Sequence, residues 1–326
     1  MHTYLEEDKI MSNWNFDLVP KTTVSIVCHT YNHEKYIHKA IEGFLSQKTN
    51  FPFEIIIHDD ASNDITTSIL KDYKKKYPNL ITLILQKENQ YSINTNIWSE
   101  FTFPIASGKY IAICEGDDFW TDQNKLQMQV DFLEKNNQYV ICWTNFVSLK
   151  GKLLIENDFE TKFPKLLTID FDNVFSSYNT YSLTTVFRKD ALNLADFNSL
   201  KFTKDNTLFS LILKNGKGVF INSKTAIYRL HEGGVFSLKP SFFKNYSSYL
   251  NLNEIYEKID QAKTENIRQV CNYLCKESAN EALKIYCSRD NLDTEQKQFL
   301  KNYFINSNIK YKFKFLKKYI EYKFSK

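Results

Sequence analysis

Short apolar blocks alternate along the first half of the chain with longer stretches in which apolar residues recur every three or four positions. Val24-Ser25-Ile26-Val27-Cys28 and Glu54-Ile55-Ile56-Ile57-His58 read as buried strands, as do Leu80 to Leu85 and Ile111-Ala112-Ile113-Cys114. Between the first two, Ile37, Ala40, Ile41, Phe44 and Leu45 fall on one face of a helix. A second helix carries Ile65, Ile69 and Tyr73 at i, i+4 and i+8 and stops before Pro78. A third is expected from Gln123 to Leu133. Strand, helix, strand, helix, strand is the order of an open α/β sheet with parallel strands.

Three of these strands run directly into polar clusters. The first is followed by His29-Thr30-Tyr31-Asn32, the second by Asp59-Asp60-Ala61-Ser62-Asn63-Asp64, and the fourth by Glu115-Gly116-Asp117-Asp118. In an open α/β sheet the carboxyl ends of the strands face the ligand crevice, so the clusters would meet along one edge. Carboxylates gathered there repel one another unless a cation lies between them. Mg²⁺ suits the position, because it takes one or two protein carboxylates plus substrate phosphate oxygens. A turn in which Asp122 caps the helix from Gln123 accounts for the last cluster equally well, with no ion.

The chain resembles the glycosyltransferases of family 2. The resemblance is carried by Val24 to Val27 with Thr30-Tyr31-Asn32, by Asp59 to Asp64, and by Ala106-Ser107-Gly108-Lys109-Tyr110-Ile111 with Glu115-Gly116-Asp117-Asp118. It continues in Val186-Phe187-Arg188-Lys189, in Lys204-Asp205 and in Tyr228-Arg229-Leu230-His231-Glu232-Gly233-Gly234-Val235. Each motif alone is a weak signal; their order and spacing over roughly residues 21 to 237 make a strong one.

The resemblance implies a GT-A fold, a Rossmann-like, mixed and mostly parallel sheet flanked by helices. It also implies a nucleotide-sugar donor, usually UDP-linked, held with Mg²⁺ or Mn²⁺. Asp60 stands at the position of the family's uracil-reading carboxylate, with Asp59 ranked below it. Thr30, Tyr31, Asn32 and Asp117 fall in nucleotide-binding positions, where Tyr31 offers either a face for the base to stack on or a core aromatic ring. Asp118, Asp117 and His231 are the implied metal ligands. Asp205 is the implied general base; without the resemblance it reads equally as an Asp favoured at a helix N-terminus. Arg229 is a phosphate-binding or an ion-pairing residue. Two features depart from the family pattern. Glu115 replaces the first Asp of the D-x-D type motif, keeping the charge on a longer arm. Asn89 to Asn94 lacks the usual Gly and the basic residue after it, leaving Asn94 as a neutral donor or a solvated loop residue.

Composition narrows the setting. A chain of 326 residues, 43% of them hydrophobic, suits one substantial domain with an appendage: an extension over 1–20, the transferase domain over 21–237 and a helical region over 238–326. A formal charge of +4 and a pI near 8.5 are too mild to call for nucleic acid. The six cysteines lack paired metal spacing, and two lie in expected core strands, which favours reduced thiols in the cytoplasm. The first twenty residues lack the apolar core of a signal peptide, and no apolar run has the length of a membrane span.

Beyond residue 237, the segments 242–260, 264–288 and 294–305 have helical periodicity. The last segment mixes lysines with aromatics. As a helix it aligns Ile309, Phe313, Leu316, Ile320 and Phe324 in a stripe flanked by lysines. That stripe suits peripheral contact of 309–326 with an anionic membrane, at the inner face of the cytoplasmic membrane. It equally suits an end helix docked by its apolar face on the enzyme. The whole points to a metal-dependent, inverting transferase adding one sugar to a glycan or lipid-linked acceptor. Two rivals remain: a metal-dependent nucleotidyltransferase, and a non-catalytic glycan- or nucleotide-binding subunit.

Overall fold

The computed structural model describes residues 6–14, 22–93, 96–177, 179–231, 240–260, 264–288, 292–307 and 309–324. Two units, Met1–His231 and Glu232–Lys326, make up the chain.

The first unit is built on one mixed sheet. Its strands are β1 (Val24–Thr30), β2 (Phe53–Asp59), β3 (Ile81–Leu85), β4 (Tyr110–Ile113), β5 (Phe119–Trp120), β6 (Tyr139–Lys150), β7 (Leu153–Ile155), β8 (Leu166–Ile169), β9 (Val186–Arg188) and β10 (Lys217–Leu230). They run in the order β3-β2-β1-β4-β9-β6-β10-β5, with β7 on β6 and β8 on β10. The pairs β3/β2, β2/β1, β1/β4 and β6/β10 are parallel, and β9 is antiparallel to both β4 and β6. The chain order reverses between β1 and β4, and a crevice outside the carboxyl ends of the strands is the expected ligand position at such a point.

The apolar runs of the sequence are explained by burial on both faces. Val24, Ile26, Val27 and Cys28 of β1 and Ile55, Ile56 and Ile57 of β2 are wholly buried. Helix α1 (Ile37–Leu45) covers the sheet with Ile37, Ala40, Ile41 and Phe44, as its spacing requires, and Phe44 meets Trp120 edge-on with ring centroids 4.9 Å apart. Helix α2 (Thr66–Lys76) departs from expectation. It buries Thr66, Leu70 and Tyr73, whereas Ile65 is exposed and Ile69 half-buried. The helix starts at Thr66, and Ile65, whose backbone N–H donates to Glu34, stays outside it as the cap. Helix α3 (Lys125–Lys135) begins two residues later than expected, because Asp122 accepts the N–H of Asn124 and holds the turn before it. The strand expected at Thr225 to Leu230 is the end of the longer β10.

The second unit is helical: α5 follows α4 (Asp205–Leu213) of the first unit and spans Ser241–Glu254, α6 spans Glu265–Cys287, α7 Thr294–Asn306 and α8 Ile309–Phe324. Phe242, Ala279, Ala282, Leu283, Leu292 and Leu300 form its core. Helix α8 packs on that core through Phe315, Tyr319 and Tyr322. Phe313, Leu316 and Ile320 of the expected stripe are exposed.

Candidate active site

Two loops at the carboxyl ends of β1 and β2 are stitched together. Asn32 donates its backbone N–H to Ser62 Oγ (2.9 Å), and its side-chain Oδ1 accepts the N–H of Asn63 (2.8 Å). Glu34 N–H donates to Asp64 Oδ2 (3.1 Å). Asn32 and Ala61 both have positive φ, 56° and 62°, a conformation that Asn tolerates and that strains Ala unless the surroundings hold it. Asp59 supplies part of that hold: its carboxylate accepts the hydroxyls of Ser62 and Thr67, both at 2.5 Å. Asp59 is therefore engaged inside its own loop. Asp60, also buried, accepts the backbone N–H groups of Gln90 (2.7 Å) and Tyr91 (3.0 Å) and so anchors the segment after β3. A carboxylate has about four acceptor positions, so these two bonds leave capacity for a further donor. Tyr31 is 40% exposed, which removes the core-aromatic alternative and leaves its ring open. Thr30 Oγ1 is buried with no hydrogen-bond partner among the described residues.

The acidic cluster follows β4. Gly116 passes so close to the β1 loop that a Cβ there would lie 2.9 Å from Thr30 Cβ and 3.0 Å from His33 Nδ1. Only glycine lets the backbone thread this gap, and its N–H is tied to the His29 carbonyl at 2.9 Å. Asp117 Oδ2 meets His231 Nε2 at 3.0 Å and lies 3.8 Å from His33 Nε2. The ring of Tyr36 lies against His231, with centroids 4.6 Å apart. Asp118 Oδ1 accepts the backbone N–H of Arg229 at 2.7 Å. The Arg229 guanidinium sits over Phe119 (4.3 Å) and Tyr36 (5.3 Å) and donates to the Asp117 carbonyl. Arg229 thus braces the cluster from behind. Glu115 points another way: its Oε2 accepts Ser182 Oγ at 3.2 Å, and Ser182 also hydrogen-bonds Asp205, the first residue of α4.

Electrostatics separates these carboxylates. Burial, then the nearby charges of Asp205 and Asp117, push Glu115 up to about 8. Burial and the Asp117 charge hold Asp118 well above the carboxylate range, against the opposing bond from the Arg229 backbone. Burial also raises Asp205, although Ser182 and Lys204 counteract it. In Asp117 burial is outweighed by the hydrogen bond from His231 and the charges of His33 and His231, so its value falls. Three acids that resist ionisation beside one that favours it form a site short of positive charge. Among the described residues no group of three or more His, Cys, Asp or Glu is arranged to enclose a metal ion. That donor set fits a hard ion taking one or two protein carboxylates and drawing its other ligands from a diphosphate and water.

The model of glycosyl transferase family 2 matches residues 25–193, just over half of the chain. The chain belongs to this family. A UDP-Glc:alpha-D-GlcNAc-diphosphoundecaprenol beta-1,3-glucosyltransferase of Escherichia coli, WfgD, is 28% identical over 218 residues, covering 66% of this chain and 80% of the relative. The putative teichuronic acid biosynthesis glycosyltransferase TuaG of Bacillus subtilis is 26% identical over 231 residues, 70% of this chain and 85% of the relative. An uncharacterised Mycobacterium tuberculosis protein is 42% identical over 120 residues, 37% of this chain, and the match spans only 34% of that relative's length. Among solved structures, Staphylococcus aureus TarS 1–349 in complex with UDP-GlcNAc superposes with a TM-score of 0.63 at 18% identity, covering 86% of this chain and 79% of TarS. The mannosyltransferase PcManGT of Pyrobaculum calidifontis, in complex with GDP-Man and Mn²⁺, gives 0.53 at 11% identity over 94% and 88%. These likenesses establish the GT-A type of fold.

The expected residues fall into two groups. Asp117, Asp118, Arg229 and His231 meet on one side, and Glu115 reaches Asp205 through Ser182. Asn94 and the segment Glu232 to Val235 after His231 lie outside the described residues. Sequence reasoning passed over His33, Tyr36 and Ser182. His33 directly follows the quoted Thr30-Tyr31-Asn32 and Tyr36 comes three residues after it, so both could have been found by extending that motif. Ser182 lies in a segment without a motif and gave no signal.

Proposed function

We propose that this protein transfers a sugar from a UDP-sugar to a hydroxyl of a glycan or lipid-linked acceptor, with inversion and with Mg²⁺ or Mn²⁺. The observation that carries the reading is the pair of acidic arms leaving the end of β4: Asp117 and Asp118 on the His231 side, and Glu115 linked through Ser182 to Asp205. One arm suits a cation and diphosphate, the other a proton acceptor. WfgD, a UDP-Glc-dependent glucosyltransferase acting on a GlcNAc-diphosphoundecaprenol, and TuaG, of teichuronic acid biosynthesis, support a hexose donor and a glycan or lipid-linked acceptor. The UDP-GlcNAc complex of TarS supports an N-acetylhexosamine donor.

In this reading Asp118 and Asp117 would hold the ion, with His231 orienting Asp117 through their 3.0 Å hydrogen bond, and the ion would stabilise the charge developing on the leaving diphosphate. Asp60 accepts the N3–H of uracil with its remaining lone pairs, and the exposed ring of Tyr31 stacks on the base. Asp205 takes the proton of the acceptor hydroxyl as it attacks the anomeric carbon. The reaction belongs in the cytoplasm, at the inner membrane face where lipid-linked acceptors are presented.

Product analysis tests the reading. Incubation with UDP-glucose or UDP-GlcNAc and Mn²⁺ should release UDP, slowly to water and faster with an acceptor. Release of inorganic diphosphate from a nucleoside triphosphate and sugar phosphate would instead establish nucleotidyl transfer. Binding of UDP-sugar without turnover under any acceptor would leave a binding subunit.

A further inference from the structure

Helix α8 has two apolar faces. Phe315, Tyr319 and Tyr322, at i, i+4 and i+7, pack on the core of the C-terminal unit. Phe313, Leu316 and Ile320, at i, i+3 and i+7, form a second stripe roughly 125° further round the helix and are 69%, 43% and 55% exposed. By helical geometry Lys314 and Lys317 border this exposed stripe on one side, and Lys312 and Lys323 on the other. Three of their ammonium groups lie over aromatic rings, Lys312 Nζ 6.0 Å from the centre of Phe304, Lys314 Nζ 5.9 Å from Tyr311 and Lys323 Nζ 5.4 Å from Tyr319, with Lys314 and Lys323 exposed. The helix holds six lysines and one acid, Glu321, which lies 3.9 Å from Lys317 with both side chains largely in water, a weak pairing. Beside the stripe a groove of about 410 Å³ is lined by Leu283, Leu300, Phe315 and Leu316, with the exposed Lys297 and Lys301 of α7 also on it.

The charge of the whole chain conceals this concentration. Residues 232–326 carry 17 Lys and Arg against 11 Asp and Glu, whereas residues 1–231 carry 25 against 27. The net positive charge therefore resides entirely in the C-terminal unit.

We infer that the exposed face of α8 is a docking surface for an anionic phospholipid bilayer, with Phe313, Leu316 and Ile320 entering the interface and the bordering lysines meeting phosphates. Among the described residues no helix is long and apolar enough to cross a membrane, so this contact is peripheral. Charge selects the occupant. A second copy meeting this face across a two-fold axis would set lysine borders against themselves, with one Glu per chain to offset them. An anionic bilayer presents the opposite sign to every lysine. The inference stands apart from the donor chemistry, since every residue it uses lies in the C-terminal unit.

The experiment is sedimentation of the full chain with phosphatidylglycerol-containing vesicles and with pure phosphatidylcholine vesicles, at low and high salt. The wild type should bind the anionic vesicles and lose binding as salt rises. The double variant F313E/I320E should bind them at least tenfold more weakly with an unchanged melting temperature, since both side chains already face water. K314Q/K317Q should weaken binding without touching an apolar group. UDP binding in the presence of Mn²⁺, measured on the same variants, should stay at the wild-type level, so that failure of the donor reading registers separately. Equal binding to both vesicle types, or unimpaired binding by F313E/I320E, overturns the inference. So does a wild-type dimer that F313E/I320E dissociates while vesicle binding is unchanged.

Discussion

Asp205 and Ser182, which the sequence separates by more than twenty positions, are joined by a hydrogen bond beside Glu115. If Asp205 is the base, Asp205→Asn keeps the shape and removes the basicity. Turnover should fall by about 10² to 10⁴-fold, the usual contribution of a positioned base, while UDP-sugar affinity hardly changes. Ser182→Ala should cost less, about two- to tenfold in turnover, the worth of one hydrogen bond. Steady-state kinetics on both variants checks the pair; near-normal turnover in Asp205→Asn assigns the proton to another group, and a matching loss of donor affinity assigns Asp205 to binding. Sequence made the acids legible because their motifs are local. It left Arg229 open between phosphate and ion-pair roles; in the structure its guanidinium lies over Tyr36 and Phe119, donates to the Asp117 carbonyl and feels the charges of Asp118 and Asp117. Ser182 stayed invisible because its role exists only once two distant segments have met.

At the scale of elements, the strands were the most legible part, since burial on both faces leaves an unbroken apolar run such as Val24 to Cys28. Helix faces were less so. In α2 the buried positions are Thr66, Leu70 and Tyr73 rather than Ile65, Ile69 and Tyr73, and α8 carries a second apolar stripe, Phe315, Tyr319 and Tyr322, that periodicity did not pick. Helix α3 holds a feature that no pattern announces. Lys125, its first residue, is fully buried; its Nζ donates to Gln129 Oε1 at 2.7 Å and lies 4.1 Å from the centre of the Trp120 ring. Gln129 in turn donates to the carbonyls of Cys142 and Thr184, tying α3 to the sheet. Burial lowers Lys125 from 10.5 to about 7. Between those values the unfolded chain binds a proton that the folded chain has released, so this group makes stability rise with pH. The full cost is present below about 7 and vanishes above 10.5, with an upper bound of about 5 kcal/mol. Lys125→Met removes the titration and leaves Gln129 Oε1 without its donor, a cost of about 1–3 kcal/mol that does not vary with pH. The stability of Lys125→Met relative to wild type should therefore decline by at least about 1 kcal/mol from pH 7 to pH 10. Melting curves across that range measure it, and a constant difference would mean that Lys125 stays charged in the fold.

For the whole molecule, the order of motifs revealed the family, and mean composition hid the division of charge between the units. The family's motifs end near His231, and the second unit, with no motif of its own, could be read only as helices and a basic tail. Every residue proposed to bind donor or metal lies in Met1–His231, while Glu232–Lys326 has a separate core around Ala279, Ala282 and Leu283. Two cores in one chain predict unfolding that is not two-state. Differential scanning calorimetry should resolve two transitions, and UDP with Mn²⁺ should raise the one belonging to the first unit. A ligand at one hundred times its dissociation constant adds about 2.7 kcal/mol to the state that binds it. For a domain of this size that is a rise of several degrees, at roughly 2–4 °C per kcal/mol. Assignment comes from repeating the scan on Phe242→Ala, which opens a cavity in the second core and should lower only the other transition. A single transition that moves as a whole with both UDP and Phe242→Ala would show instead that the two cores unfold as one cooperative body.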